Sequence, residues 1–146
     1  MNIAIVGATG NVGRKILEVL ERKELAIDNL YLLASSKSAG SKIKFKDKEY
    51  EVLNLETFDF SKVKITFFAA GGKISEQYAL KAAKHSIVID NSSFFRMDPD
   101  VPLIVPQVNP EAIKNMKKNI IANPNCSTAQ LVIALKPLHD LFNIVR

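Results

Sequence analysis

The chain has one cysteine, Cys126, in 146 residues. That excludes an internal disulfide framework, and any metal site would have to rely on other ligands. No apolar stretch approaches the ~20 residues a membrane span requires. The opening residues carry neither a basic region nor a small-residue cleavage site, so no secretory signal is expected and cytoplasm is the default compartment. No run of five like charges occurs, although the net charge is +5, from 20 Lys and Arg against 15 Asp and Glu. The lysines are scattered. The densest patch, Lys42 to Lys48, alternates in the manner of a strand and reads as one solvated face. Nucleic acid is therefore not an expected partner, and small phosphorylated anions suit the charge better. Only two histidines occur. His85 falls in a helix-to-strand turn and His139 near a helix end, and neither is assigned a catalytic role.

Apolar residues make up 47% of the chain and charged residues 24%, the balance of a folded globular protein. The length fits one domain. Short apolar runs at Asn2–Val6, Leu30–Ala34, Lys64–Ala69, Ile87–Ile89 and Asn119–Ala122 read as strands buried on both faces. Shorter strands are expected around Lys42–Phe45 and Tyr50–Leu53, with an extended piece at Leu103–Val105. Val12, Ile16, Val19 and Leu20 predict a helix over Asn11–Lys23. Ile74, Tyr78 and Ala82 predict another, ending near Lys84. Pro110–Lys117 reads as a helix with proline near its first position. Cys126 to about Leu141 reads as a helix bent or interrupted at Pro137. The alternation predicts an α/β fold: a doubly wound, Rossmann-like, mostly parallel sheet with helices on both faces. Residues 1–141 form the expected domain. Phe142–Arg146 reads as the start of a strand, which suggests a longer parent protein; a short C-terminal edge strand is the alternative.

Four stretches carry chemistry. Gly7-Ala8-Thr9-Gly10-Asn11-Val12-Gly13 is a G-x-x-G-x-x-G variant that follows a buried strand and opens a helix. Glycine permits the tight turn and close backbone approach to a pyrophosphate, and the helix N-terminus supplies free N–H groups. A glycine turn with no ligand is the plainer alternative. At the end of the second strand, Ala34 to Gly40 holds hydroxyls and Lys37, with no acid between Asp28 and Asp47. An NAD-selecting fold usually places an acid there for the ribose 2′-hydroxyl. Hydroxyls and a cation suit a 2′-phosphate, which points to NADP, although Ser, Lys and Gly are also ordinary loop residues. Cys126, in Asn123-Pro124-Asn125-Cys126-Ser127-Thr128, falls at a strand-to-helix junction. The dipole and free N–H groups there favour a thiolate, so Cys126 is a candidate nucleophile; a small core residue is the other reading. Finally, Asp90 to Asp98 follows a strand end and contains Arg96, one of four arginines. Its planar fork suits a phosphate or carboxylate, unless it simply pairs with Asp98 or Asp100.

In this order the pieces resemble aspartate-semialdehyde dehydrogenase, with Ala70-Gly71-Gly72 and Val105-Pro106-Gln107-Val108-Asn109 adding to the match across the chain. The resemblance implies an oxidoreductase that reduces aspartyl phosphate to aspartate semialdehyde with NADPH through a cysteine thioester, in lysine, threonine and methionine biosynthesis. It implies Cys126 as nucleophile, with Arg96 and Asn125 holding the substrate phosphate. NADP would be held by Gly7, Thr9, Gly10, Asn11, Val12, Gly13, Lys37, Ser38, Gly71 and Gly72. The family commonly has arginine where this chain has Lys37, which weakens bidentate phosphate recognition but keeps the charge. Family members are more than twice as long. Their acid/base histidine and most of a homodimer interface lie in a second domain, expected to begin at 142–146, and neither His85 nor His139 matches that histidine. The 146 residues alone are therefore expected to bind nucleotide without turning over. N-acetyl-glutamyl-phosphate reductase, which shares the fold and a cysteine thioester, and a non-catalytic NADP-binding module are the alternatives.

Overall fold

In the computed structural model, which describes residues 1–145, the first apolar run forms β1 (Asn2–Val6) and leads into helix α1 (Asn11–Arg22). Then come β2 (Asn29–Ala34), β3 (Lys42–Phe45), β4 (Lys48–Asn54) and β5 (Ile65–Phe68). Helix α2 (Gly72–Ala83), β6 (Ile87–Asp90), β7 (Ile120–Ala122) and helix α3 (Cys126–Phe142) complete the described elements. The seven strands among the described residues form one sheet in the order β3-β4-β2-β1-β5-β6-β7. All neighbours run parallel except β3 and β4, which are antiparallel.

Strand alternation divides the core between the two faces. On one face, Ala4, Val6, Leu33, Phe68, Val88 and Ile120 pack beneath Tyr78, Ala79, Ala82 and Ala83 of α2. On the other, Ile3, Ile5, Leu30, Leu32 and Val52 pack against Leu17 and Leu20 of α1 and against Ile43 and Phe45. Burying a side chain of this size contributes ~1.5–3 kcal/mol, so central strands with apolar residues on both faces are stable only between two helical layers. No helix among the described residues is long and apolar enough to cross a membrane.

The two short strands expected around Lys42–Phe45 and Tyr50–Leu53 form as β3 and β4: the chain turns at Lys46 and Asp47, with Lys46 at φ 53°, and β4 begins at Lys48. Ile43 and Phe45 are buried while Lys42 and Lys44 face solvent, so the alternation itself holds. The structure departs from the sequence expectations in three other places. Pro110–Asn115 is a short 3₁₀ helix with no buried residue, so no packing rewards a longer α-helix there. Helix α3 runs through Pro137 without interruption to Phe142. Asn143, at φ 50°, then closes it by donating its N–H to the His139 carbonyl at 2.8 Å. The strand expected from Phe142 is therefore not formed over 142–145: Phe142 is taken up by the helix, and 143–145 have no ladder partner; Arg146 lies outside the described residues. The extended piece around Leu103 bridges Ala122 at the outer edge of β7.

Candidate active site

Six parallel strands end on the same side of the sheet, and each of the four chemical stretches begins at one of those ends. That is where open α/β sheets bind ligands. After β1, Gly7 (φ 84°) and Ala8 donate their N–H groups to the Leu33 carbonyl at 2.8 and 3.2 Å, which ties the turn to the end of β2. A Cβ on Gly7 would sit 2.8 Å from the Ala69 backbone, and one on Gly13 would sit 2.2 Å from the Gly7 carbonyl oxygen. The glycines let the start of α1 close onto β1 and β5. Gly10 caps α1 with no side-chain bond. The N–H groups of Thr9, Asn11, Val12 and Gly13 have no backbone acceptor among the described residues. Such donors at a helix N-terminus form an anion site.

A cleft of about 390 Å³ opens beside this turn, lined by Gly7, Thr9, Gly10, Ser35, Glu56 and Tyr78 among others. Of the cofactor residues expected from sequence, Gly7, Thr9 and Gly10 line it directly. Gly13 serves by close packing. Asn11 and Val12 instead line an apolar groove on the other side of α1, with Phe67 and Asn91. Lys37 and Ser38 stand outside the cleft wall, in the turn that leaves Ser35. That turn is held by Ser38 N–H to the Ser35 carbonyl at 2.9 Å and by Ser41 Oγ–H to the Ser38 carbonyl at 2.7 Å. Lys37 is exposed and makes no ion pair among the described residues. Gly71 caps α2 at φ 87°, and Gly72 begins it, facing Phe94 and Ser93. Glu56 and Tyr78 were not anticipated. β4 lies beside β2 in parallel, so its end, and hence Glu56, belongs to the same rim.

Beyond β6 and β7 the chain builds a second, polar cluster. Arg96 donates Nε–H to the Asn123 carbonyl at 3.0 Å and Nη2–H to the Asn91 carbonyl at 3.1 Å. Asn123 Nδ2 donates to Asn91 Oδ1 at 2.9 Å, and Asn91 Nδ2 to the Phe68 carbonyl at 3.0 Å. The ends of β5, β6 and β7 are thus cross-linked around one half-buried guanidinium, which has more donors than these two bonds use. The ion pair with Asp98 or Asp100 considered for Arg96 belongs to other residues. Asp98 pairs with Lys118 at 2.8 Å, and Asp100 pairs with Lys117 at 3.0 Å. The Lys118 ammonium beside Asp98, helped by the Asp100 N–H, holds its carboxyl below the usual value, and Asp98 in turn raises Lys118.

Three residues after Asn123, Cys126 is the first residue of α3, and it is exposed. Asn125 is the N-cap. Its Oδ1 accepts from Ser127 N–H at 2.9 Å, and Cys126 Sγ lies 3.9 Å from the same oxygen. With Oδ1 engaged, the Asn125 Nδ2 amide is the free donor of that side chain. An exposed thiol on a helix N-terminus with neighbouring amide donors can attack an acyl carbon beside a bound anion. His139 stands at the far end of α3 and His85 beyond α2, away from these strand ends. No group of side chains suited to a metal ion occurs among the described residues.

Residues 2–116 match the family model described as semialdehyde dehydrogenase, NAD binding domain. The chain is 50% identical over 147 aligned residues to the aspartate-semialdehyde dehydrogenase of Shewanella sp. (strain DB6705), covering 99% of this chain and 44% of that one. It superposes with a TM-score of 0.92 and 53% identity on aspartate semialdehyde dehydrogenase II from Vibrio cholerae, complexed with ASA, covering 95% of this chain and 46% of that one. The Candida albicans enzyme with NADP matches at a TM-score of 0.79 and 30% identity, over 98% of this chain and 48% of that one. The chain thus spans about half the length of these relatives.

Proposed function

The chain belongs to the semialdehyde dehydrogenase family, and from that premise we propose that it is the nucleotide-binding and nucleophile-bearing portion of an aspartate-semialdehyde dehydrogenase. In this reading the cleft beside Gly7–Gly13 would hold NADPH, the free N–H groups of the turn serving its pyrophosphate and Lys37 and Ser38 its 2′-phosphate. Gly71 and Gly72, which follow the cleft-lining Ala70 at the start of α2, would adjoin it. The cleft of about 390 Å³ and the unpaired donors suit that group. Arg96 and Asn125 hold the phosphate of aspartyl phosphate. The relative solved with NADP and the relative solved with ASA support the choice of cofactor and of a small substrate. The names of the relatives favour this reading over N-acetyl-glutamyl-phosphate reductase or a non-catalytic nucleotide module.

The chemistry follows from the positions. The Cys126 thiolate attacks the acyl carbon, the bond from that carbon to the phosphate oxygen breaks, and phosphate leaves against Arg96 and the Asn125 amide. The product is a thioester on Cys126. The nucleotide, when bound, would supply the hydride that reduces this thioester. A proton completes the thiohemiacetal, which collapses to aldehyde and free thiol. Dividing one hard acyl reduction into two easier steps is the advantage of the covalent route. One observation carries the proposal: the donor-rich turn, the half-buried Arg96 and the exposed Cys126 all stand at the carboxyl ends of one parallel sheet. Intact mass spectrometry after mixing with aspartyl phosphate tests it. The expected result is one aspartyl adduct on Cys126 with release of phosphate. Absence of the adduct, or equal labelling of Cys126→Ala, would overturn the reading.

A further inference from the structure

Asp90, the last residue of β6, is fully buried, yet it lines neither the cleft nor the thiol and touches no cation. A buried carboxylate is costly unless donors converge on it. Here three do. Ser75 Oγ–H of α2 donates to Oδ1 at 2.7 Å, Ser92 N–H donates to the same oxygen at 3.0 Å, and Ser92 Oγ–H donates to Oδ2 at 2.7 Å. Only a side chain that accepts through both atoms can take all three, which an asparagine cannot.

The bonds continue outward. Ser92 Oγ, oriented by Asp90, accepts the Phe94 N–H at 3.2 Å, and Arg96 N–H closes the turn on the Ser93 carbonyl at 3.4 Å. Phe95, 2% exposed, anchors the apolar side of the same loop. The loop leaves β6 with one face pinned by Phe95 and the other by Asp90, and Arg96 emerges with its guanidinium on the Asn91 and Asn123 carbonyls.

We propose that Asp90 is a positioning residue: through Ser92 it sets the turn that aims Arg96 at the substrate phosphate, and through Ser75 it fixes that turn to α2. The reference to phosphate rests on the function proposed above. An arginine emerging from a loose loop would lose the fixed fork that makes it a bidentate anion ligand.

The test is nuclear magnetic resonance of the whole chain, following hydrogen exchange at Arg96 Nε–H, whose bond to the Asn123 carbonyl makes it slow. Asp90→Asn keeps the shape but turns one acceptor into a donor, and Ser92→Ala removes the hydroxyl that joins Asp90 Oδ2 to the Phe94 N–H while keeping the Ser92 N–H bond to Asp90. In both, Arg96 Nε–H should exchange about tenfold faster, the loss of one net hydrogen bond, while the amides of β1 keep their wild-type rates. Unchanged Nε–H exchange in the folded variants would overturn the proposal. So would a uniform acceleration that includes β1, because Asp90 would then be only a stability element. Inorganic phosphate added to the wild type is a separate arm. Failure of phosphate to shift the Arg96 Nε–H resonance would sink the phosphate reading of Arg96, while the exchange comparison would still decide whether Asp90 sets its geometry.

Discussion

Gly13→Ala should be among the most damaging single methyl additions available in this chain. The new Cβ would lie 2.2 Å from the Gly7 carbonyl oxygen and 2.8 Å from the Ala8 Cα. A carbon–oxygen contact relaxes near ~3.3 Å, so the helix must withdraw by about an ångström. The opposing atoms are backbone and cannot swing aside. Gly7 is held by its N–H on the Leu33 carbonyl at 2.8 Å, and its own carbonyl already accepts Gly10 N–H at 3.1 Å. Withdrawal therefore falls on α1, which lifts Leu17 and Leu20 off β1 and β2. Overpacking of this kind costs ~1–3 kcal/mol, here toward the upper end, and the helical preference for alanine returns ~0.5–1 kcal/mol. The net is about 2 kcal/mol, or a fall in Tm of roughly 5–10 °C for a chain of this size. Gly10→Ala is the control: its Cβ would meet the same oxygen at 3.4 Å, an ordinary contact, so its cost should stay below ~1 kcal/mol. Thermal unfolding followed by circular dichroism reads both. A Gly13→Ala protein that melts with the wild type would show that α1 does not close on the turn as described.

Calorimetric titration should find NADP bound more tightly than NAD, and Lys37→Ala should weaken NADP by about tenfold, one charge-assisted bond, while leaving NAD unaffected; equal affinity for the two nucleotides would remove the 2′-phosphate assignment. Acid sensitivity should follow the Asp98–Lys118 pair. A carboxyl depressed by folding stabilises the native state above its unfolded value near ~3.9, and that contribution is lost as pH falls through the lower folded value. Lys118→Met should therefore narrow the difference in urea midpoint between about pH 7 and about pH 3. The change should be small, because solvent screens the pair, and an unaltered difference would show that Lys118 does not hold Asp98.

The central strands were legible because both of their faces are apolar, a pattern that only a two-layered parallel sheet accommodates; β1 matches the expected Asn2–Val6 residue for residue. The edge was less so. Lys42 to Lys48 keeps its alternation up to a two-residue turn, and alternation alone does not say where a chain reverses. Pro137 suggested a broken helix, yet one missing N–H is tolerated within α3. In the proposed site, the glycine turn, Arg96 and Cys126 stand out in the sequence because their residue types are unusual where they stand. Asp90 could not be singled out in the same way. At a strand end an aspartate reads as a solvated turn residue, and its burial depends on Ser75, which approaches from α2. Glu56 reaches the cleft only through the pairing of β4 with β2, which no local pattern reports. The surface ion pair considered for Arg96 is taken instead by Lys118, 22 residues away in sequence and bonded to Asp98.

The account stands on Cys126, Arg96 and the glycine turn forming one site. The most direct test is the rate at which iodoacetamide alkylates Cys126, measured with inorganic phosphate, with NADP and with both. Phosphate should slow alkylation by occupying the space beside the thiol, Arg96→Ala should abolish that protection, and NADP should deepen it in the wild type. Alkylation at one unchanged rate under all these conditions would show that Cys126 lies apart from the anion and nucleotide sites, and would contradict the account.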